Sequence, residues 1–118
     1  MEIHGGWSRA EPQRSFRLDF RGEYTGDFDY PIFDDTPEIT SFNNLNLRNG
    51  GQHSGATKLQ DAMYSRMARQ THILASNWRP ALLYLNGEFW GLYGVRQKTD
   101  EHLIANEFLV DKDNVDLL

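Results

Sequence analysis

The chain has 118 residues, which suffices for one compact domain and leaves no room for a second. Its 39% of apolar residues argue against a disordered chain, and its net charge of −5 is the wrong sign for a protein that holds nucleic acid by neutralising phosphates. The lack of cysteine excludes disulfides, iron–sulfur clusters and thiolate zinc sites. No apolar run approaches the roughly 18 residues that cross a membrane. We therefore expect neither a nucleic-acid partner nor a membrane span.

Residues 14–21 alternate between apolar and polar side chains, which predicts a strand with one buried face. The buried face carries three apolar residues, Phe16, Leu18 and Phe20. The alternation places Arg14 on the same side, where a cation is costly unless it has an anionic partner. Arg14 therefore either extends past the end of the sheet or reaches a bound phosphate from inside a cleft, with residues 5–9 folded over it.

The next stretch is acidic, with six carboxylates and no basic residue from Glu23 to Glu38. Pro31 and Pro37 interrupt it and disfavour a helix. The composition predicts a solvated acidic loop that contains a short extended piece over residues 28–33.

A strand and a glycine-rich loop are predicted next. Leu45 and Leu47 alternate with polar residues between positions 42 and 49, and residues 50–55 contain three glycines. The order of a strand, a glycine-rich loop and a helix is similar to that of a phosphate-binding loop, but Ala56 stands where such a loop needs its lysine. The pattern favours a plain helix-entry loop.

Two helices are predicted. Thr57 begins a capping box, and apolar residues at three- to four-residue steps predict a helix over 58–73, with its methionine stripe packed in the core. Thr99 caps a second helix over 100–109. Residues 111–114 are typical of a turn, which leads into a last strand.

Asn86-Gly87 is the strongest local signal, because this dipeptide supplies the two positive φ angles of a type I′ turn. It predicts a hairpin over residues 81–96. The expected opposed pairs are Leu85 with Glu88, Tyr84 with Phe89, Leu83 with Trp90 and Ala81 with Leu92. Apolar residues on both faces place this hairpin in the middle of the fold. The predicted fold class is α+β, an antiparallel sheet with a central hairpin and two helices.

The motifs supply no complete catalytic or metal-binding set. The four histidines show no pair at helical ligand spacing, which argues against zinc. Residues 111–116 begin like a calcium loop, but Val115 stands where an oxygen ligand is needed, so turn chemistry explains them better. The Gly-x-Ser-x-Gly motif of serine hydrolases does not occur.

Five blocks, in order, resemble the CotH kinase-like family, named after spore coat protein H. The blocks are Ile3-His4-Gly5 with Ser8-Arg9, Pro12-Gln13-Arg14-Ser15-Phe16-Arg17-Leu18-Asp19-Phe20, Leu47-Arg48-Asn49-Gly50-Gly51, Leu85-Asn86-Gly87-Glu88-Phe89-Trp90-Gly91-Leu92-Tyr93 and Val110-Asp111-Lys112-Asp113-Asn114-Val115-Asp116-Leu117-Leu118. The resemblance runs essentially from end to end and corresponds to the N-terminal part of the family's domain. It implies a divergent kinase-like fold, of which this sheet resembles the N-terminal lobe.

The resemblance implies an atypical protein kinase that phosphorylates serine or threonine with ATP and Mg or Mn, exported to the cell surface or spore coat. Arg14, Ser8 and Arg9 are then the candidate cofactor-binding residues. The family's catalytic and metal-binding aspartates lie downstream of the matched region. We therefore expect no catalytic or metal-binding residue within this chain, no activity of the chain by itself and no tight nucleotide binding without the parent protein.

The sequence departs from the family pattern in two blocks. Gln13 and Arg14 stand where the family usually has lysine, and Gln97 stands where it often has a glutamate that could pair with that lysine. Both changes are compatible with a pseudokinase. The alternative function is therefore a non-enzymatic surface or coat module that binds a protein or glycan through Trp7 or Trp78.

We also expect the chain to be a single domain that is itself a fragment. It begins within a predicted strand and stops at apolar residues, with no polar tail. The expected partners are a protein substrate or coat protein, and the remainder of the parent chain.

Overall fold

The computed structural model describes residues 1–20, 22–23, 26–51 and 56–116. The strands of this part are β1 (Glu2–His4), β2 (Ser15–Asp19), β3 (Phe28–Asp29), β4 (Ser41–Phe42), β5 (Asn44–Arg48), β6 (Trp78–Leu85) and β7 (Glu88–Arg96). The helices are α1 (Gln60–Gln70) and α2 (Glu101–Phe108), with short 3₁₀ helices at Trp7–Ala10 and Lys112–Asn114. None of the helices in these ranges is long and apolar enough to span a bilayer.

Five of the described strands form one antiparallel sheet in the order β1-β2-β5-β7-β6, and β3 pairs with β4 in a small second sheet. This arrangement confirms the α+β class with antiparallel sheets and two helices. The predicted strand over residues 14–21 is β2, which is shorter and begins at Ser15. Of the predicted last strand, Val115 and Asp116 follow the 3₁₀ helix without strand structure, and the other two residues lie outside the described part of the chain.

The hairpin forms as predicted at its turn, where Asn86 and Gly87 have φ of 53° and 83°. Leu85 lies opposite Glu88 and Tyr84 opposite Phe89, as expected. Beyond them β7 contains one extra residue at Trp90, so Leu83 faces Gly91 and the other two predicted pairs are wrong.

The central position of the hairpin is also wrong, because β6 is an edge strand and only β7 lies inside the sheet. Pro80 in β6 explains this placement, since proline has no N–H for a second neighbour and is confined to sheet edges. The outward face of the hairpin is correspondingly exposed at Leu82, Tyr84, Phe89 and Leu92.

Replacing Gly87 with valine is expected to cost more than about 1 kcal/mol of unfolding free energy, because a β-branched residue resists positive φ. Urea denaturation of the variant measures this cost. A neutral result would contradict the turn at Asn86-Gly87.

The core lies on the sheet face formed by Phe16, Leu45, Leu47, Tyr93 and Val95. The acidic segment and the residue after it cover this face and contribute Phe33 and Ile39, which are both buried. The predicted loop is therefore solvated only in part, because these apolar side chains are buried while all six carboxylates of the segment are exposed. Only part of the expected extended piece is a strand, since β3 covers Phe28 and Asp29.

Helix α1 packs against the opposite, polar face of the sheet and is shorter than predicted. Its N-cap is Leu59, without a side-chain cap, and Lys58 has a positive φ, so the capping box at Thr57 is wrong. Only Ala62 and Ser65 of the helix are buried, whereas Met63 and Met67 are 60% and 59% exposed. The prediction that the methionine stripe packs in the core is wrong.

Helix α2 is capped by Asp100 rather than by Thr99. The Asp100 carboxylate accepts hydrogen bonds from the backbone N–H groups of His102 and Leu103 at 3.1 and 3.3 Å. Leu103 is fully buried and anchors the helix, while Phe108 at its end is exposed. The predicted turn after this helix is the 3₁₀ helix Lys112–Asn114.

Candidate functional site

A cavity of about 900 Å³ lies between the β1–β2 connection, the end of β5 and the first turn of α1. Its walls include Trp7 and Ser8 from the connection, Arg48 and Gly51 from β5 and the following loop, and Asp61 and Tyr64 from the helix. Both charged and aromatic groups therefore face one open space on the polar side of the sheet.

The charged residues that line this cavity are Arg48, Asp61 and Glu11, and Asp61 is also bonded to Arg96 behind the wall. The Arg96 Nη1 donates a hydrogen bond to Asp61 Oδ2 at 2.6 Å, and the Arg48 Nε lies 3.5 Å from the same oxygen. Arg96 also donates to the Ser65 hydroxyl at 3.3 Å. One carboxylate thus serves two guanidinium groups, of which only that of Arg48 lines the cavity.

The strand register explains why these side chains meet. Arg48 lies opposite Gly94 and Arg96 opposite Asn46, so both arginines project from the same face of neighbouring strands. Arg17 lies opposite Asn46 on the other side and belongs to the same face. Its Nη1 contacts Glu2 at 3.3 Å, and its buried Nε has no hydrogen-bond partner.

The electrostatics of this face act on His4, which lies on β1. Burial lowers the pKa of the His4 imidazole below its ordinary value, and the neighbouring Arg17 and Arg48 lower it further. His4 therefore stays neutral at pH 7, and the positive charge of the face resides on the arginines.

Asn49 links the end of β5 to the residues at the start of β2. It is buried, its Oδ1 accepts hydrogen bonds from the Ser15 hydroxyl and the Gly51 N–H, both at 2.9 Å, and its Nδ2 donates to the Gln13 carbonyl at 2.6 Å. These contacts fix the end of β5 against the start of β2. No role was predicted for Asn49 from the sequence, although it lies in the family block Leu47-Arg48-Asn49-Gly50-Gly51, between a strand and two glycines.

The three predicted cofactor-binding residues do not lie together. Ser8 lines the cavity, and Arg9 is an exposed neighbour in the same 3₁₀ helix. Arg14 is exposed just before β2 and does not line this cavity, while its carbonyl accepts a hydrogen bond from the Tyr93 hydroxyl at 2.7 Å. Their role with nucleotide stays a prediction. Arg48, Asp61 and Arg96 were missed as site residues.

The two departures from the family pattern also lie apart. The Gln13 Nε2 donates to the Leu92 carbonyl at 2.8 Å, and the Gln13 Oε1 accepts from the Lys58 ammonium. Gln97 is buried and accepts from Asn77 Nδ2 at 3.3 Å. Gln97 is thus hydrogen-bonded to Asn77 rather than to a residue of the Gln13-Arg14 block.

Within the described ranges, no group of three or more His, Asp or Glu side chains could hold a metal ion. The loop that is similar to a phosphate-binding loop lies largely at residues 52–55, outside the described part of the chain. What the described residues do offer is a set of hydrogen-bond donors for an anion.

Fold and site together define a small α+β domain with an open cavity between the sheet and its first helix, lined in part by the Arg48–Asp61 pair. The family model described as CotH kinase protein matches residues 1–118, the whole length of the sequence. The chain therefore belongs to the CotH kinase family and is kinase-like at the level of that family. No curated protein and no solved structure shows significant similarity to it.

Proposed function

We propose that this chain forms the nucleotide side of an ATP-dependent protein kinase, whose parent protein phosphorylates serine or threonine of a protein substrate with Mg or Mn. The observation that carries the proposal is Arg48, which lines the cavity and is held by Asp61, whose carboxylate also binds Arg96. A guanidinium fork matches the geometry of phosphate oxygens and keeps its charge at any physiological pH.

The order of the parts supports this proposal. In protein kinases a glycine-rich loop covers the phosphates, and a lysine on the third strand pairs with a glutamate on the following helix. Here the β1–β2 connection contains Gly5 and Gly6, Arg48 lies on the third strand of the large sheet in chain order, and Asp61 lies on the helix that follows. By the order of elements alone, the Arg48–Asp61 pair is the counterpart of that lysine–glutamate pair, whereas the family resemblance aligned the pair with the Gln13-Arg14 block and Gln97.

Each group has a distinct role in this proposal. Arg48 binds phosphate oxygens from the cavity wall, and Asp61, which is also bonded to Arg96, holds its guanidinium group in place. The 3₁₀ helix Trp7–Ala10 shields the phosphates from water. The described residues do not fit a metal site, so the metal ligands and the catalytic carboxylate would come from other segments of the parent protein, as the family resemblance implies.

Replacing Arg48 with glutamine in the parent protein is expected to weaken binding of an ATP analogue about tenfold or more, because a charge-assisted contact to phosphate is worth about 1.5–3 kcal/mol. Calorimetric titration with the analogue and Mg or Mn measures this. The matched control is Arg66→Gln, since Arg66 lies on α1 but contacts Asp35 away from the cavity.

Equal affinities of the wild type and the Arg48 variant, with the fold of the variant intact, would contradict the proposed site. Arg14→Ala in the same titration tests the role predicted for Arg14 from the sequence. An effect of Arg14→Ala without an effect of Arg48→Gln would move the phosphate site to the sheet end near β2.

A second candidate is a non-enzymatic surface or coat module. The observation that favours it is Trp7, which is 96% exposed at the rim of the cavity and presents a large amphipathic surface. Transfer of labelled phosphate from ATP to a protein substrate by the parent protein separates the two candidates. Nucleotide binding without transfer would support a pseudokinase.

A further inference from the structure

Two exposed aromatic rings line the cavity of about 900 Å³ and come from different elements. Trp7 lies in the β1–β2 connection and is 96% exposed, whereas Tyr64 lies on α1 and is 62% exposed. A ligand in the cavity can therefore reach both rings without any rearrangement of the core.

The position of Trp7 is unusual for its residue type. Tryptophan is highly buried on average, because its large ring loses the most from contact with water. The Trp7 ring nevertheless keeps almost its whole surface exposed at the rim of a cavity. Packing within the domain does not explain this position, and contact with a ligand does.

The size of the cavity and its arginine fit a whole nucleotide. Cavities that bind small molecules usually measure about 300–1,000 Å³, and this one lies within that range. Arg48 lines the same space and is the phosphate-binding residue of the proposed function. The base of the nucleotide then needs a flat contact, which the rings of Trp7 and Tyr64 provide.

The polar side chains beside the two rings are not fixed for reading the edge of a base. The Gln60 amide already donates a hydrogen bond to the Tyr64 hydroxyl at 3.2 Å, and Glu11 is an exposed side chain. Selective reading of a base edge needs side chains that packing and further hydrogen bonds hold in place. Stacking tolerates a change of base, because every base has a π-face.

We propose that this cavity binds the base of the nucleotide by stacking on Trp7 and Tyr64, and that it accepts adenine and guanine alike. This inference rests on the proposed function, in which Arg48 binds the phosphates. A pyrimidine covers less of the two rings than a purine does, so uridine nucleotides bind more weakly.

The test titrates the parent protein, with Mg or Mn, with ADP, GDP, UDP and ribose 5-diphosphate. None of the four is turned over as a phosphate donor, and ribose 5-diphosphate carries the same phosphates without a base. We expect ADP and GDP to bind within about twofold of each other, and ribose 5-diphosphate about fivefold or more weakly, since it lacks the stacked base. UDP should lie between them.

Variants of the two rings test which side chains make the contact. Trp7→Ala and Tyr64→Ala should each weaken binding of ADP about fivefold or more and leave that of ribose 5-diphosphate unchanged. The matched control is Tyr84→Ala, because Tyr84 is 57% exposed on β6 and does not line the cavity. The exposure of all three side chains means that their replacement should leave the fold intact.

Three outcomes would each overturn the inference alone: equal affinities for ADP and ribose 5-diphosphate, a difference above about fivefold between ADP and GDP, or equal effects of Tyr64→Ala and Tyr84→Ala. The proposed function survives them as long as Arg48→Gln still weakens binding of ribose 5-diphosphate. No binding of any of the four ligands would overturn both. Where Arg48→Gln has no effect, the proposed phosphate site is wrong, and the Trp7 and Tyr64 variants still decide whether the base stacks there.

Discussion

Replacing Phe33 with alanine is expected to reduce the free energy of unfolding by about 3–5 kcal/mol. Phe33 is 1% exposed, and its ring packs edge-to-face on Phe42 with a centroid distance of 5.5 Å. The substitution removes this contact and leaves a cavity against the sheet. Urea denaturation followed by circular dichroism measures the loss.

The matched control is Tyr30→Ala on the same segment. Tyr30 is 57% exposed, so its replacement should cost less than about 1 kcal/mol. Similar small costs for both variants would mean that the acidic segment does not pack on the sheet. Should Phe33→Ala not fold at all, Phe33→Leu preserves most of the volume and should show a smaller loss in the same direction.

The buried residues in and just after the acidic segment could not be predicted from sequence periodicity. Its carboxylates are exposed, as their charge requires, so the prediction of solvated side chains was correct for these residues. Its buried residues, Phe33, Thr36 and Ile39, are three residues apart in a stretch without a helix or strand, so no repeat of two or 3.6 marks them. Only the sheet face that they cover gives them their position.

The strands were predictable because alternation is a local property. It correctly separated Leu45 and Leu47, which are buried, from Arg48, which lies on the polar face. The turn predicts a regular register and contains no sign of the bulge at Trp90. The extra residue of the bulge shifts every pair beyond it. The prediction that the methionine stripe is buried was wrong because of tertiary packing: α1 contacts a polar sheet face through the small residues Ala62 and Ser65.

The candidate site was predicted only in part. Ser8 came from the family resemblance and does line the cavity. Arg48, Asp61 and Arg96 come from two strands and a helix, and nothing in their sequence spacing indicates that one carboxylate serves both arginines. The strand order β5-β7 brings the arginines together, and this order is a long-range property of the sheet.

Replacing Gly94 with alanine is expected to reduce the free energy of unfolding by about 1–3 kcal/mol. A Cβ atom at this position would lie 2.2 Å from the Trp78 Nε1 and 3.0 Å from its Cε2. Glycine inside a strand is normally less favourable than alanine by roughly 0.5–1 kcal/mol, so the usual effect of this substitution is stabilising. A loss of stability in urea denaturation therefore reports the steric conflict with Trp78.

A double-mutant cycle with Trp78→Leu isolates this conflict. The smaller side chain leaves room for the new methyl group, so Gly94→Ala should be neutral or stabilising when Trp78 is already replaced. The coupling between the two substitutions should then equal most of the loss seen for Gly94→Ala alone. A cost of Gly94→Ala that is unchanged in the Trp78→Leu background would show that the Trp78 ring does not lie across β7 at Gly94.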